Sequence, residues 1–214
     1  MANRKQLQVI GAARSGEPAA QLALGRHYLF GEDGLQQNFS TALHWLDRAA
    51  RQHIDDAWML IGRHIPFAIA QRAGNMRQLA IWYEKAFDAG EMQAGLVFAQ
   101  IVQGLDGSAI TPALRSKAMH ALRAAAQAGI AEAQWMLAQQ QEHCAPENAA
   151  ASQPPEGNVA ISMEWAISAA EGGIVAARYA LAEHTWATAD YKAFLHWSLP
   201  LARDLTRRAA ATSY

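Results

Sequence analysis

A pattern of residues recurs along this chain at intervals of about forty residues, and that recurrence limits the fold more than any other property of the sequence. Segments Leu43–His53, Ala80–Gly90, Met119–Gly129 and Met163–Gly173 share an apolar residue, a Trp slot two positions on, small residues, and a terminal glycine or its substitute. A weaker fifth copy holds Phe194, Trp197, Leu201 and Ala202. The first residues carry half a copy, in which Ala12 and Ala13 fall where Ala49 and Ala50 fall later. The closing residues Gly16, His53, Gly90, Gly129 and Gly173 lie 37, 37, 39 and 44 residues apart. An interval so regular predicts a stack of like units.

A second motif sits between these copies. Ala20, Leu24, Gly25 and Tyr28 recur as Ala57, Ile61, Gly62 and Ile65, then as Ala94, Phe98, Ala99 and Val102, with Ala133, Leu137, Ala138 and Ala177, Leu181, Ala182 following. Offsets 0, 4, 5 and 8 fall on one stripe of an α-helix, and the small residue at offset 5 predicts a close approach of two backbones. Each unit therefore reads as two antiparallel helices, A then B, joined by turns such as Gly31-Glu32-Asp33-Gly34 and Gly104-Leu105-Asp106-Gly107. Gly90 and Gly129 are placed to end B helices in the left-handed conformation.

Composition gives the same picture. The 214 residues include 48 Ala, so much of the 51% hydrophobic fraction is small side chains suited to closely packed helices. Net charge is −1, with 18 Lys+Arg against 19 Asp+Glu, which is no basis for coating nucleic acid. Cys144 is the single cysteine, and a lone cysteine forms no intrachain disulfide. The apolar runs are too short to span a bilayer, and Met1–Gln8 passes directly into an amphipathic pattern. The expectation is a cytoplasmic protein of one domain, without nucleic acid, membrane or metal among its partners and without a cofactor.

Ala20-x-x-x-Leu24-Gly25-x-x-Tyr28-x-x-Gly31 followed by Ala42-Leu43-x-Trp45-Leu46-x-x-Ala49-Ala50 resembles the Sel-1-like repeat (SLR), a relative of the tetratricopeptide repeat. The resemblance runs from about Leu7 to Arg203. Pro66 in the second A helix, Ala121 in the third Trp slot and Pro200 in the last helix depart from the pattern. It implies an all-α, right-handed α/α superhelix, or solenoid, of about five helix-pair repeats plus an N-terminal half repeat. It also implies a protein-interaction scaffold, commonly in bacterial assembly, secretion or signalling systems, with no shared catalytic residues. In this reading the half repeat covers 5–16 and the repeats cover 18–53, 55–90, 92–129, 131–173 and 175–205, with a loop insertion at 144–158 and a tail at 206–214.

If helix A lines the concave surface, as the resemblance implies, offsets −1, 2, 3 and 6 face outward. Offset 2 holds Leu22, Met59, Leu96, Trp135 and Tyr179, and offset 3 holds Ala23, Leu60, Val97, Met136 and Ala180. Offset 6 holds Arg26, Arg63, Gln100, Gln139 and Glu183, a column that passes from cationic to anionic. One reading is a groove for a partner helix or extended segment, anchored on Trp135, Tyr179 and Met59 and oriented by Arg26 and Arg63. The other reading makes offsets 2 and 3 ordinary core against the next repeat's A helix. Trp45, Trp82, Trp165 and Trp197 occupy the repeat's own slot and read as structural fillers.

His44, His120 and His196 share one helix-B column and His27, His64 and His184 one helix-A column, but successive members are too far apart to chelate one ion. Phosphate-binding and nucleophile-elbow motifs are lacking. The carboxylates Glu32, Asp33, Asp55 and Asp56 fall in turns, as helix caps do, and Cys144 reads as a free thiol at the start of the proline-rich insertion. Arg207 and Arg208 read as a solvated helix end. The leading function is a non-enzymatic adaptor. Two other classes stay open: a small hydrolase or ligand-modifying enzyme using gathered histidines, and a self-associating subunit whose terminal repeats stack into a homo-oligomer.

Overall fold

The computed structural model describes residues 4–105, 110–142 and 156–211, with side chains over 6–105, 110–140 and 163–203. Every regular element among them is an α-helix: α1 Arg4–Arg14, α2 Pro18–Phe30, α3 Phe39–Arg51, α4 Asp55–His64, α5 Phe67–Arg72, α6 Met76–Asp88, α7 Met92–Gly104, α8 Pro112–Gln127, α9 Ala131–Glu142, α10 Glu156–Glu171, α11 Val175–Ala187 and α12 Tyr191–Ala211. Contacts gather the chain into two compact units, Met1–Ala124 and Ala125–Tyr214. Within them α1 packs on α2, α2 on α3, α6 on α7, α9 on α10 and α11 on α12, an α/α repeat architecture.

The repeat's closing residue is a backbone switch. Gly16, His53, Gly90, Gly129 and Gly173 have φ of 101°, 64°, 98°, 88° and 97°. At Gly90 the amide donates to the Phe87 carbonyl and the next amide, Glu91, reaches back to Ala86; the same two bonds recur at the other four positions. This pair satisfies carbonyls that the helix end leaves orphaned, and a left-handed residue is what brings the two amides round. Glycine enters that conformation without a Cβ clash, so a marker every forty residues or so is the sequence trace of one C-terminal cap. His53 makes the turn with a side chain. The starts are less uniform: Asn38 caps α3 by accepting from Thr41 N at 2.9 Å, Thr111 caps α8, and Asp190 caps α12.

The small residue at offset 5 allows helices A and B to touch through their backbones. A Cβ at Gly25 would come 2.7 Å from Leu46 Cδ2 and 3.3 Å from the Leu46 amide, and one at Gly62 would overlap the Cβ of Ala86. Around these crossings Leu29, Leu46, Ile61, Leu79, Tyr83, Phe98 and Ile101 form the core of the first unit. A smaller core in the second joins Ala169, Ala170, Ala177 and Leu181.

Pro66 does more than perturb its helix. It has no amide to donate, and its ring turns Ile65 to extended backbone, so helix A of the second repeat stops at His64 and restarts as the short α5. Ile65 nevertheless stays buried, and its carbonyl accepts the Tyr83 hydroxyl at 2.7 Å. The other repeats place Leu46, Leu122, Ala166 and Ser198 where Tyr83 stands. The one phenol in that column therefore sits opposite the one proline break. Burial pushes the Tyr83 phenol well above its ordinary pKa, so it remains a donor.

Trp82 fills its slot in the same structural manner. Its indole N–H donates to Asp47 Oδ1 at 2.8 Å, and the other oxygen of this buried carboxylate accepts from Arg51 Nε at 3.0 Å and Asn75 Nδ2 at 3.4 Å.

Several local expectations change. Asp55 and Asp56 lie inside the first turn of α4, whose N-cap is Ile54, and Asp55 accepts from the Trp58 indole. A carboxylate there still complements the helix dipole, which is why capping and first-turn positions are hard to tell apart in sequence. Asp33, at φ 54°, pairs with His27 Nε2 at 3.3 Å rather than capping. Gly31 and Gly34 take positive φ, whereas Gly104 belongs to α7. Asp106, Gly107, Cys144 and the insertion through Pro155 lie outside the described residues; Gly157 and Asn158 fall within the first turn of α10. Helix α12 continues through Pro200 and past Arg208 to Ala211.

Candidate interaction surface

The outward stripe of α2 carries a depression. Ala19, Leu22, Ala23, Arg26 and His27 follow one another at helical spacing and, with Glu32 of the next turn, line an open cavity of about 310 Å³. These are the positions at offsets −1, 2, 3, 6 and 7. The floor is apolar and the rim is charged.

Along the repeats the offset-2 column changes in exposure. Leu22, Met59 and Trp135 are half-buried, Leu96 is 1% exposed, and Tyr179 is 66% exposed. Leu22 packs against the core of the first unit and Trp135 against that of the second. At offset 3 Val97 is buried, and Ala23, Leu60, Met136 and Ala180 are half-buried. At offset 6 Arg26, Arg63, Gln139 and Glu183 are exposed and Gln100 is half-buried. Each outer position is thus shared in a different proportion between core and surface. Leu96 and Val97 belong to the core.

The two arginines differ. Arg63 binds Glu91 Oε1 through both Nε, at 3.0 Å, and Nη2. This hydrogen bond raises the Arg63 pKa and holds the Glu91 carboxyl below its ordinary value. Arg26 has no ion pair among the described residues. The reason is one position: Glu91 lies 28 residues after Arg63, and 28 residues after Arg26 stands Ile54. The sequence held that signal, but only once Arg63 and Glu91 are known to lie on neighbouring elements.

His64 next to this pair stacks edge-on against Phe30, with ring centroids 5.2 Å apart. Desolvation, and then the Arg63 charge, lower its pKa from the ordinary 6.5. Its folded-state value lies below the unfolded one, so the unfolded chain binds more protons and stability falls as pH drops below 6.5. Glu91 acts with the same sign at lower pH: its contribution is present above the ordinary carboxylate range and lost as pH falls through the depressed value. The Arg63–Glu91 pair is solvent-screened, so His64 dominates near neutrality. The melting temperature is expected to fall between pH 7 and pH 5, and His64→Gln should flatten that fall. An unchanged slope in the variant would place the titration elsewhere.

Sequence reasoning passed over the offset-1 column. Gln21, Gln134 and Arg178 each reach back eight residues to a carbonyl at the end of the preceding B helix, Ala13, Ala126 and Ala170, at 3.2, 3.0 and 2.9 Å. Gln52 adds a link, donating to Gln21 Oε1 at 2.8 Å. In the third repeat Gly95 stands at offset 1 and the Phe87 ring fills the space, 2.8 Å from where a Cβ would be. A polar residue over alanine, or glycine over phenylalanine, was the available signal.

Among the described residues the histidines do not converge. The rings of His44, His120 and His196 rest edge-on against Trp45, Phe87 and Trp197. Among the described residues no group of three His, Cys, Asp or Glu side chains is placed to hold a metal, and no helix is long and apolar enough to cross a membrane.

No protein-family model matches the chain, and no curated protein matches it. Solved structures do. A Sel1 repeat protein from Oxalobacter formigenes superposes with a TM-score of 0.55 at 23% identity, over 94% of this chain and 77% of that one. A protective antigen of uropathogenic Escherichia coli displaying an SLR fold gives a TM-score of 0.45 at 19% identity, over 95% of this chain and 48% of that one. The helix pairs, their glycine-capped ends and the Oxalobacter likeness agree that this chain has the fold of the Sel1-like repeat proteins.

Proposed function

We propose that the protein is a non-enzymatic adaptor that binds a segment of another protein along the outward face of its A helices. The observation that carries this is the depression on α2, where an apolar floor of Ala19, Leu22 and Ala23 adjoins the Arg26 guanidinium. Apolar floors with a charged rim suit a polypeptide, the floor supplying affinity and the rim orientation. Arg26, Met59, Gln100, Trp135, Gln139, Tyr179 and Glu183 are the proposed contact residues. Arg63 contributes through its pair with Glu91, whereas Leu96 is buried and makes no contact with a partner. Among the described residues the histidines give a hydrolase no converging set to work with.

The test compares proteins recovered with wild type, with Arg26→Glu and with an Arg14→Glu control, after thermal melting has established that all three are folded. A partner that binds through this face is retained by the control and weakened about tenfold or more by Arg26→Glu. Recovery that does not distinguish Arg26→Glu from wild type would falsify the assignment.

A further inference from the structure

In the repeats before the last, the B-helix column two residues ahead of the Trp slot is partly or wholly covered. Leu43 and Ala80 are buried and Met119 and Met163 half-buried. The column five residues after the slot is buried throughout, as Ala50, Phe87, Ala126 and Ala170. The next repeat's A helix contributes to this cover: Gly95 sits on Phe87, and Arg178 reaches Ala170. On α12 the same two columns hold Leu195 and Ala202, and both are exposed.

The open columns are part of a larger apolar face. On α11, Tyr179, Glu183 and Trp186 share one stripe; on α12, Tyr191, Leu195, Leu199 and Ala202 share another. Tyr179, Trp186, Tyr191, Leu195 and Leu199 are each more than half exposed. Trp186 links the helices, its ring lying 5.7 Å from that of Tyr191 and 5.1 Å from that of Phe194. Five large exposed side chains on one helix pair are more than scattered surface residues and mark an interaction face. Helix α1 carries no such face: beside its exposed Leu7 lie Gln8, Gly11 and Arg14.

We infer that the α11–α12 face binds the same face of a second copy of this chain, giving a closed two-fold dimer. Two features choose that occupant. First, stacking α11–α12 on the α1 face of another copy would set five aromatic and aliphatic side chains against one leucine, whereas a two-fold arrangement sets apolar against apolar. Second, the stripes carry charges of both signs, Glu183 on α11 and Lys192 on α12, exposed and without an ion-pair partner among the described residues. A two-fold axis brings any contact between unlike positions in twice, so Lys192 of each copy can meet Glu183 of the other. Tyr179 and Glu183 are shared with the proposed adaptor face, but the depression on α2 that carries that reading and its Arg26→Glu test lie apart from α11–α12 in sequence, so either assignment can fail without the other.

Light scattering on the full chain across roughly a hundredfold concentration range tests this. The expected result is a monomer passing to a dimer and stopping there. Leu195→Glu should weaken the dimer about tenfold or more with its helical melt retained. Lys192→Glu should weaken it, and Glu183→Lys in the same chain should restore it, a readout that stands if Leu195→Glu does not fold. A monomer at every concentration overturns the inference. So does mass growing beyond the dimer, or a dimer indifferent to both Leu195→Glu and the charge exchange.

Discussion

Replacing Gly62 with leucine is expected to cost about 3 kcal/mol, enough to lower the melting temperature by several degrees. Gly62 lies within α4, where a β-carbon would occupy the space of the Ala86 Cβ on α6 and would stand 3.2 Å from that of Ala94 on α7. Both neighbours are short side chains anchored to helix backbone, so neither can swing aside and the helices must separate. Intrinsic helix propensity predicts the opposite for Gly62→Ala, a gain of about 1 kcal/mol. The sign of that variant therefore decides between local preference and tertiary packing. Gly11 on α1 has no atom within 4 Å of its would-be Cβ, so Gly11→Ala should stabilise where Gly62→Ala destabilises. Ala86→Gly should recover part of the Gly62→Ala loss, because the two atoms in conflict are one on each helix. Denaturant unfolding of the four variants checks all of this. Equal, positive effects of alanine at residues 11 and 62 would mean that no close crossing exists.

Tyr83→Ala is expected to be the most damaging truncation, costing roughly 3–5 kcal/mol as aromatic-to-alanine changes in cores do. The side chain is fully buried in the first unit's core and its hydroxyl is the hydrogen-bond partner of the Ile65 carbonyl beside Pro66. Tyr83→Phe separates the two contributions. It keeps the packing and leaves the carbonyl unsatisfied, for an expected cost of about 1–3 kcal/mol. Were Tyr83→Phe to match wild type in chemical denaturation, the break at Pro66 would have to be supported by packing alone.

Much of the helical order was legible in sequence because it rests on local rules. The closing glycines mark helix ends since a left-handed residue is needed wherever that cap forms, and Ala20, Leu24 and Gly25 announce a helix stripe by spacing alone. Pro66 was legible as a disturbance, but its outcome was not: whether a proline kinks a helix or divides it depends on who satisfies the freed carbonyl, and Tyr83 is 18 residues distant. The outward columns are legible as stripes, but spacing does not divide them into core and surface. Leu22 and Leu96 have the same offset and the same side chain, yet one lines an open depression and the other is enclosed.

The repeat unit is readable from the order of residues: two helices, their apolar stripes, a small residue at each crossing and a capped end, all dictated by chirality, helical period and the absence of a Cβ in glycine. How each charge and each outer side chain is used follows from contacts between elements. Arg26 and Arg63 are equivalent in the repeat, but Glu91 pairs with Arg63, whereas the matching position for Arg26 holds Ile54. Leu43 and Leu195 share a column, but only the first is covered. Burial and ion pairing depend on distances between residues far apart in the chain, and periodicity carries no information about those distances beyond the next turn of helix.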